Sequence, residues 1–205
     1  MNDVTLHPIN ADRDREAWLA LRRKFLSATD WPKITGSSPW AGASDVLEDK
    51  RGPGGEAVWT LPMRVGKALE PLIVDRALAL LGPGEPVTQA FLSRGHLGFT
   101  PDLLLVREGA DWTLAEIKVS VRPWNGEVPE AYQDQVKFQA TVLGVGEVQV
   151  LHLELASWQE GQAFLAAGSV PPGRLRVYRV RVAKAERGRI ERKAEAWWTS
   201  HFGDC

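Results

Sequence analysis

Two rhythms of apolar residues run through this chain. Between Leu61 and Leu81, the residues Val65, Leu69, Leu72, Ile73, Ala77 and Leu80 recur at helical spacing, which predicts one helix with an apolar stripe. The same rhythm predicts helices over Asp12 to about Ala28 (Trp18, Leu19, Leu21, Phe25), Ser44–Lys50, Pro129–Leu143, Ser157–Ala167 and Lys184 to about Phe202. Short runs rich in apolar and β-branched residues predict strands at Val87–Leu92, Glu147–Leu155 and Leu175–Val182, and in two pieces on either side of Arg107–Asp111. Gly82-Pro83-Gly84 and Gly144 are helix stops. Thr29–Lys33, Ser93–His96 and Arg122–Gly126 read as turns or loops, Arg51–Gly55 as a flexible loop, and residues 1–11 as a loose arm. Helices first, then strands, then a helix and a further strand describe an α/β chain. Its mixed sheet is a meander joined by a strand that a crossover helix brings back.

The stretch from Phe99 to Val121 carries the chemistry. Its middle, Arg107–Asp111, reads as a hairpin loop through Gly109 and Asp111. A loop symmetric about Gly109 sets Val106 opposite Trp112 and Asp102 opposite Glu116. Like charges facing across a strand pair repel, and two carboxylates at one site do not both stay ionised unaided. A hard divalent cation with oxygen ligands relieves this. Lys118 leaves the same strand face as Glu116, while Ala115, Ile117, Val119 and Val121 leave the other and enter a core. A further acid, Glu70, lies beside the apolar stripe of the long helix. Pro71 follows it and predicts a kink or a helix restart there. Within the Pro129–Leu143 helix, Tyr132, Gln135 and Gln139 share one face. The segment Ile34–Gly42, rich in small hydroxyl residues and glycine, suits either anion contact at a helix start or plain capping.

Composition narrows the class. The chain has 205 residues, of which 44% are hydrophobic and 25% charged, as in a soluble globular protein of one large domain or of a domain with an appendage. There is no apolar run of about 18 residues, and the opening Met-Asn-Asp-Val-Thr lacks the regions of a signal peptide. The only cysteine, Cys205, excludes disulfides and cysteine-held metal centres within one chain, and a reducing, cytoplasmic location is expected. The net charge of −1 does not announce a nucleic-acid binder, but Arg174–Lys193 alone carries +7 and the remainder −8. Such a division fits an acidic metal site with a basic strip for binding or assembly, and equally a charged, solvated tail segment. His96 in a turn and His152 in an apolar strand read as structural. Of the nine tryptophans, Trp31, Trp40 and Trp124 fall in predicted loops, where one could wedge at a DNA end.

Pro101-Asp102 followed by Glu116-Ile117-Lys118 resembles the PD-(D/E)XK nuclease signature. That resemblance implies a restriction-endonuclease-like core, with a central mixed β-sheet flanked by helices. It implies a site with two Mg²⁺ ions, for which Mn²⁺ substitutes, held by Asp102, Glu116 and the Ile117 carbonyl, with Glu70 completing the shell or acting through water. Lys118 would orient or deprotonate the attacking water or stabilise the transition state. Further segments narrow the group: Arg15-Glu16-Ala17-Trp18 with Leu21-Arg22, Ile34-Thr35-Gly36-Ser37, Gly66-Lys67-Ala68-Leu69-Glu70 and Tyr132-Gln133-Asp134-Gln135-Val136. In this order they resemble the lambda exonuclease and YqaJ-like viral recombinase nucleases, over roughly Arg15 to Gly144. One nuclease domain then spans 1–205, with a core of about 12–156 and an α-β-α extension of about 157–205.

By that resemblance the chain digests linear duplex DNA from a 5′ end, in recombination or repair. An annealing protein for single strands is the implied partner, and a ring trimer the implied assembly. Arg22 (or Arg23) and Ser37 would hold the 5′-phosphate, and Gln135 and Tyr132 would contact DNA; the planar fork of arginine grips phosphate bidentately. Where the family has Pro-Asp-Gly, this chain has Pro101-Asp102-Leu103, and its segment between Arg22 and Ile34 is longer. A structure- or site-specific endonuclease of the same fold and a catalytically inactive module that binds DNA ends are the alternatives.

Overall fold

The stripe between Leu61 and Leu81 forms the longest helix. Sixteen elements in all are seen in a computed structural model that describes residues 3–52, 59–107 and 112–203. The tip of the expected hairpin loop, 108–111, most of the loop expected at 51–55, and Cys205 lie outside the described residues.

In chain order the elements are β1 (Thr5–Asn10), α1 (Arg15–Arg22), β2 (Leu26–Ser27), α2 (Trp31–Thr35), α3 (Ala43–Arg51) and α4 (Leu61–Leu81). Four strands follow: β3 (Glu85–Val87), β4 (Ala90–Arg94), β5 (Leu97–Phe99) and β6 (Leu103–Val106). The remainder is β7 (Thr113–Ser120), α5 (Glu130–Leu143), β8 (Glu147–Glu154), α6 (Trp158–Ala167), β9 (Leu175–Arg181) and α7 (Lys184–Phe202).

Pro62 stands in the first turn of α4, where its missing N–H is no loss, and Gly82 closes the helix at φ +81°. The helix runs unbroken through Pro71, so the expected restart at Glu70 does not occur. Pro71 lies on the exposed side, while Leu69 and Ile73 on either side of it are fully buried and keep the backbone helical. Gly161 of α6 lets that helix approach α4; a Cβ there would come within 2.7 Å of Val65 Cγ1.

The five-stranded sheet has the order β3-β6-β7-β8-β9. β6 and β7 are antiparallel, with Leu103 facing Ala115 and Leu105 facing Thr113, the register that a loop symmetric about Gly109 predicts. β7 and β8 are parallel, as the crossover through α5 requires, and β9 returns antiparallel at the edge. On one face, Ala115, Ile117, Leu151 and Leu153 pack against α4 and α6. On the other, Leu114, Val148 and Val150 meet α5 and α7.

A second sheet of four strands, β1-β4-β5-β2, was not legible from local pattern. The expected loose arm is β1, whose register sets Leu6 against Leu92, and His7 Nε2 bonds Ser93 Oγ at 2.8 Å. The helix expected over Asp12–Ala28 stops at Arg22, and Leu26–Ser27 instead pairs parallel with β5, burying Leu26 completely. The expected turn at Thr29–Lys33 becomes the start of α2, with Pro32 in its first turn. The single strand expected over Val87–Leu92 is two strands in different sheets. The break falls at Gln89, whose φ of 60° is unusual for a residue other than glycine.

Candidate active site

A cleft of about 1230 Å³ opens between the two sheets and the N-terminal helices. Its walls bring together residues from distant parts of the sequence: Arg15 and Arg22 from α1, Lys67 and Glu70 from α4, Asp102, Glu116 and Lys118 from the β6–β7 pair, and Tyr132, Gln135 and Gln139 from α5. Trp40 and Trp59 line it too and are 72% and 41% exposed.

Asp102 stands just before β6, where its carboxylate substitutes for a backbone acceptor. Oδ2 accepts the Ile117 N–H of β7 at 2.7 Å. Desolvation and then the charge of Glu116 push the Asp102 carboxyl well above its usual range, with Glu70 adding to the repulsion and Lys118 opposing it. Glu116 is only 3% exposed. Its Oε1 accepts from Lys118 Nζ and from Gln135 Nε2, both at 2.5 Å, and its Oε2 from Gln139 Nε2 at 2.6 Å. Burial works against the charge of Lys118, but Glu116 and Asp102 outweigh it and hold the ammonium above its usual value. Nζ also lies 4.9 Å from the centre of the Tyr132 ring.

Glu70 reaches the cleft from α4. Lys67 Nζ bonds it at 3.2 Å and in turn bonds Asp12 at 3.0 Å, while the Gln89 side-chain amide donates to Oε1. Burial raises the Glu70 carboxyl above its usual range against the pull of Lys67. Gln89 therefore performs two tasks: its backbone divides the sheets and its side chain holds Glu70. Sequence reasoning missed Gln89, since only the tertiary break makes it distinctive.

The predicted set Glu70, Asp102, Glu116 and Lys118 is thus assembled in one place. Among the described residues no three His, Cys, Asp or Glu side chains are grouped closely enough to hold a metal ion by themselves. A cation would therefore rest on Asp102 and Glu116 with further oxygens from the Ile117 carbonyl or water. The mutual repulsion of these carboxylates fits a positive guest.

Arg22, which also lines the cleft, is held rather than free. Nη2 bonds Asp30 at 3.1 Å and Ser27 and Thr29 at 3.2 Å, and Nη1 bonds Asp49 at 3.3 Å. Asp30 is wholly buried and also binds Lys50 Nζ at 2.7 Å. Burial alone would raise the Asp30 carboxyl, but Arg22 and Lys50 bring it down to about 2. Arg22, and not Arg23, lines the cleft. Ser37 does not: its hydroxyl donates to Asp134 Oδ2 at 2.8 Å, beside Thr35, which donates to the same oxygen at 2.7 Å. The hydroxyls that accompany Arg22 in the cleft are Ser27 and Thr29.

Other candidates settle as structure. Trp31 and Trp124 are buried, and Trp40 alone of the expected loop tryptophans lines the cleft, stacked 6.1 Å from Tyr132. His96 stacks on Trp198, and His152 lies 3.7 Å from the Trp124 ring at an interplanar angle of 2°, its Nε2 bonded to Ser120. None of the cleft residues belongs to the basic segment Arg174–Lys193. Several of its arginines pair with glutamates: Arg174 with Glu160, Arg176 with Glu154 and Arg181 with Glu147.

No family model and no curated protein matches the sequence. Among solved structures, the chain is similar to the alkaline exonuclease LHK-Exo from Laribacter hongkongensis, with a TM-score of 0.66 at 16% identity over 91% of this chain and 92% of that one. A second structure of LHK-Exo, in complex with dAMP, gives 0.67 at the same identity and coverage. The likeness is one of fold. It supports the expected architecture: a restriction-endonuclease-like core whose mixed sheet is flanked by helices. Among the described residues no helix is long and apolar enough to cross a membrane.

Proposed function

We propose that this chain is a DNA exonuclease dependent on divalent metal, which hydrolyses phosphodiester bonds of linear duplex DNA from a 5′ end. One observation carries the reading: Glu70, Asp102, Glu116 and Lys118 line a single cleft together with Arg22, Ser27 and Thr29. The fold shared with an alkaline exonuclease supports it. Bound Mg²⁺, or Mn²⁺ in its place, would supply charge neutralisation at the phosphate and an activated water, with two ions as the resemblance implies.

The chain's own residues do the rest. Asp102 and Glu116 bind the cation through oxygens that repel each other without it. Lys118, kept protonated by those carboxylates, donates hydrogen bonds and positive charge to the phosphate oxygens as charge builds in the transition state. Arg22, steadied by Asp30 and Asp49, presents guanidinium donors to a terminal phosphate. Trp40 and Trp59 offer exposed ring faces on which the bases of a separated end can stack.

The test is cleavage of linear duplex bearing a 5′-phosphate and of covalently closed circular DNA, each with and without Mg²⁺. Loss of the linear duplex alone, dependent on Mg²⁺ and absent in Glu116→Ala and Lys118→Ala, is the expected outcome. Nicking of the circle would make the chain an endonuclease. Retained end binding without cleavage would make it an inactive end-binding module.

A further inference from the structure

We propose that Gln139 is a positioning residue of this site: together with Gln135 it clamps the Glu116 carboxylate so that a single lone pair, on Oε2, is left for a cation. The inference rests on the function proposed above and deepens it.

Gln139 stands in the buried stretch of α5. Phe138, Ala140 and Val142 are fully buried around it, and Gln139 itself is 1% exposed. A glutamine in such a place must lose its hydration, and only one of its polar ends finds a partner. Nε2 donates to Glu116 Oε2, while Oε1 is buried with no hydrogen-bond partner. An unpaired buried acceptor costs stability, and an apolar side chain of the same shape would avoid that cost. A residue kept at such a cost points to the group that it does touch.

One helical turn earlier Gln135 Nε2 donates to the other oxygen, Oε1, which also accepts from Lys118. An ionised carboxylate offers about four acceptor positions, two on each oxygen. Lys118 and Gln135 fill both on Oε1, and Gln139 fills one on Oε2. Among the described residues no other donor meets Oε2, which leaves the fourth open. Two carboxamides four residues apart on one helix therefore fix the carboxylate plane from both oxygens. Without Gln139 the group is held at Oε1 alone and can turn about its last bond, so the open lone pair loses its direction.

Gln139→Met keeps the shape and removes both polar ends. The measurement is calorimetric titration of the DNA-free protein with Mn²⁺ and with Mg²⁺, beside kcat, KM for duplex ends and a melting curve without metal. Cation affinity should fall about 10- to 100-fold, and kcat should fall with it. KM and end binding without metal should stay at the wild-type level, and the metal-free protein should melt within about 4 °C of wild type. Gln139→Asn, which keeps the amide but withdraws it from Glu116, should lose cation affinity in the same direction and serves if the methionine variant does not fold. Variants that titrate like wild type with unchanged kcat overturn the proposal. A raised KM with unchanged cation affinity also overturns it, by making Gln139 a DNA contact. Wild-type protein that takes up no divalent cation removes the proposed function and this inference together, an outcome distinct from failure of the variants alone.

Discussion

Asp30, buried behind the cleft residue Arg22, and Asp102, in the cleft wall, carry the same side chain, and their surroundings act on it in opposite senses. Around Asp30 the neighbours are Arg22 and Lys50, and Ser27 donates to it from both its backbone N–H and its hydroxyl. The buried charge is matched, and the carboxyl is held at about 2. Around Asp102 the neighbours include Glu116 and Glu70, with Lys118 as the opposing charge, and the carboxyl is pushed well up. The first cluster is complete as it stands and can hold Arg22 in place. The second is complete only when more positive charge arrives. On the proposed function, that contrast separates the cluster that supports the substrate from the cluster that reacts.

Substitutions at the two aspartates should separate in sign. Asp102→Asn should lower kcat by about 10³-fold or more, since it removes an oxygen ligand from the reacting cluster. The same change relieves repulsion among carboxylates, so the metal-free protein should melt about 2–4 °C higher. A lower melting temperature would show that the acids are not in conflict. Asp30→Asn should do the reverse. It strands the buried Lys50 ammonium, which is worth about 3–5 kcal/mol in urea unfolding. Its pH signature is also specific. The Asp30 carboxyl is depressed in the folded state, so its contribution is present above the ordinary carboxylate range and is lost as pH falls from about 4 to about 2. Wild type should lose about 2 kcal/mol of stability over that interval through this residue, and Asp30→Asn should lack that part of the acid limb.

The surroundings of Asp102 were far more legible in the sequence than those of Asp30. Strand register follows from local arithmetic once the loop is located, so Leu103 against Ala115 and the approach of Asp102 to Glu116 could be read directly. The bounds of α4 were equally plain from its apolar stripe and the Gly82 stop. The face shared by Tyr132, Gln135 and Gln139 was visible too, although what it faces was not: Gln135, expected to touch DNA, donates to Glu116. The second sheet was hidden because β1 and β2 owe their conformation to partners far along the chain. Leu26 and Ser27 carry no strand period of their own and are extended because β5 lies beside them. For the same reason the hydroxyls beside Arg22 could not be read from spacing, and the resemblance put Ser37 there instead.

The smallest effect is the one that best tests that exchange. Thr29 is exposed, lines the cleft and accepts from Arg22; its own hydrogen goes to Ser27 Oγ at 3.2 Å, a neutral bond that a charged terminal phosphate oxygen can outcompete. Ser37 has already given its hydrogen to Asp134, and the charge of that carboxylate disfavours a phosphate nearby. One neutral hydrogen bond is worth about 0.5–1.5 kcal/mol, so Thr29→Val should reduce the preference for 5′-phosphorylated over 5′-hydroxyl ends by about 2- to 10-fold. Ser37→Ala should change it by less than about 2-fold, because the bond it loses is to Asp134 and not to substrate. Competition between the two kinds of end for each variant measures this. If Ser37→Ala has the larger effect, α2 and Asp134 must separate when DNA binds, and the phosphate site lies on the Ile34–Ser37 side of Arg22.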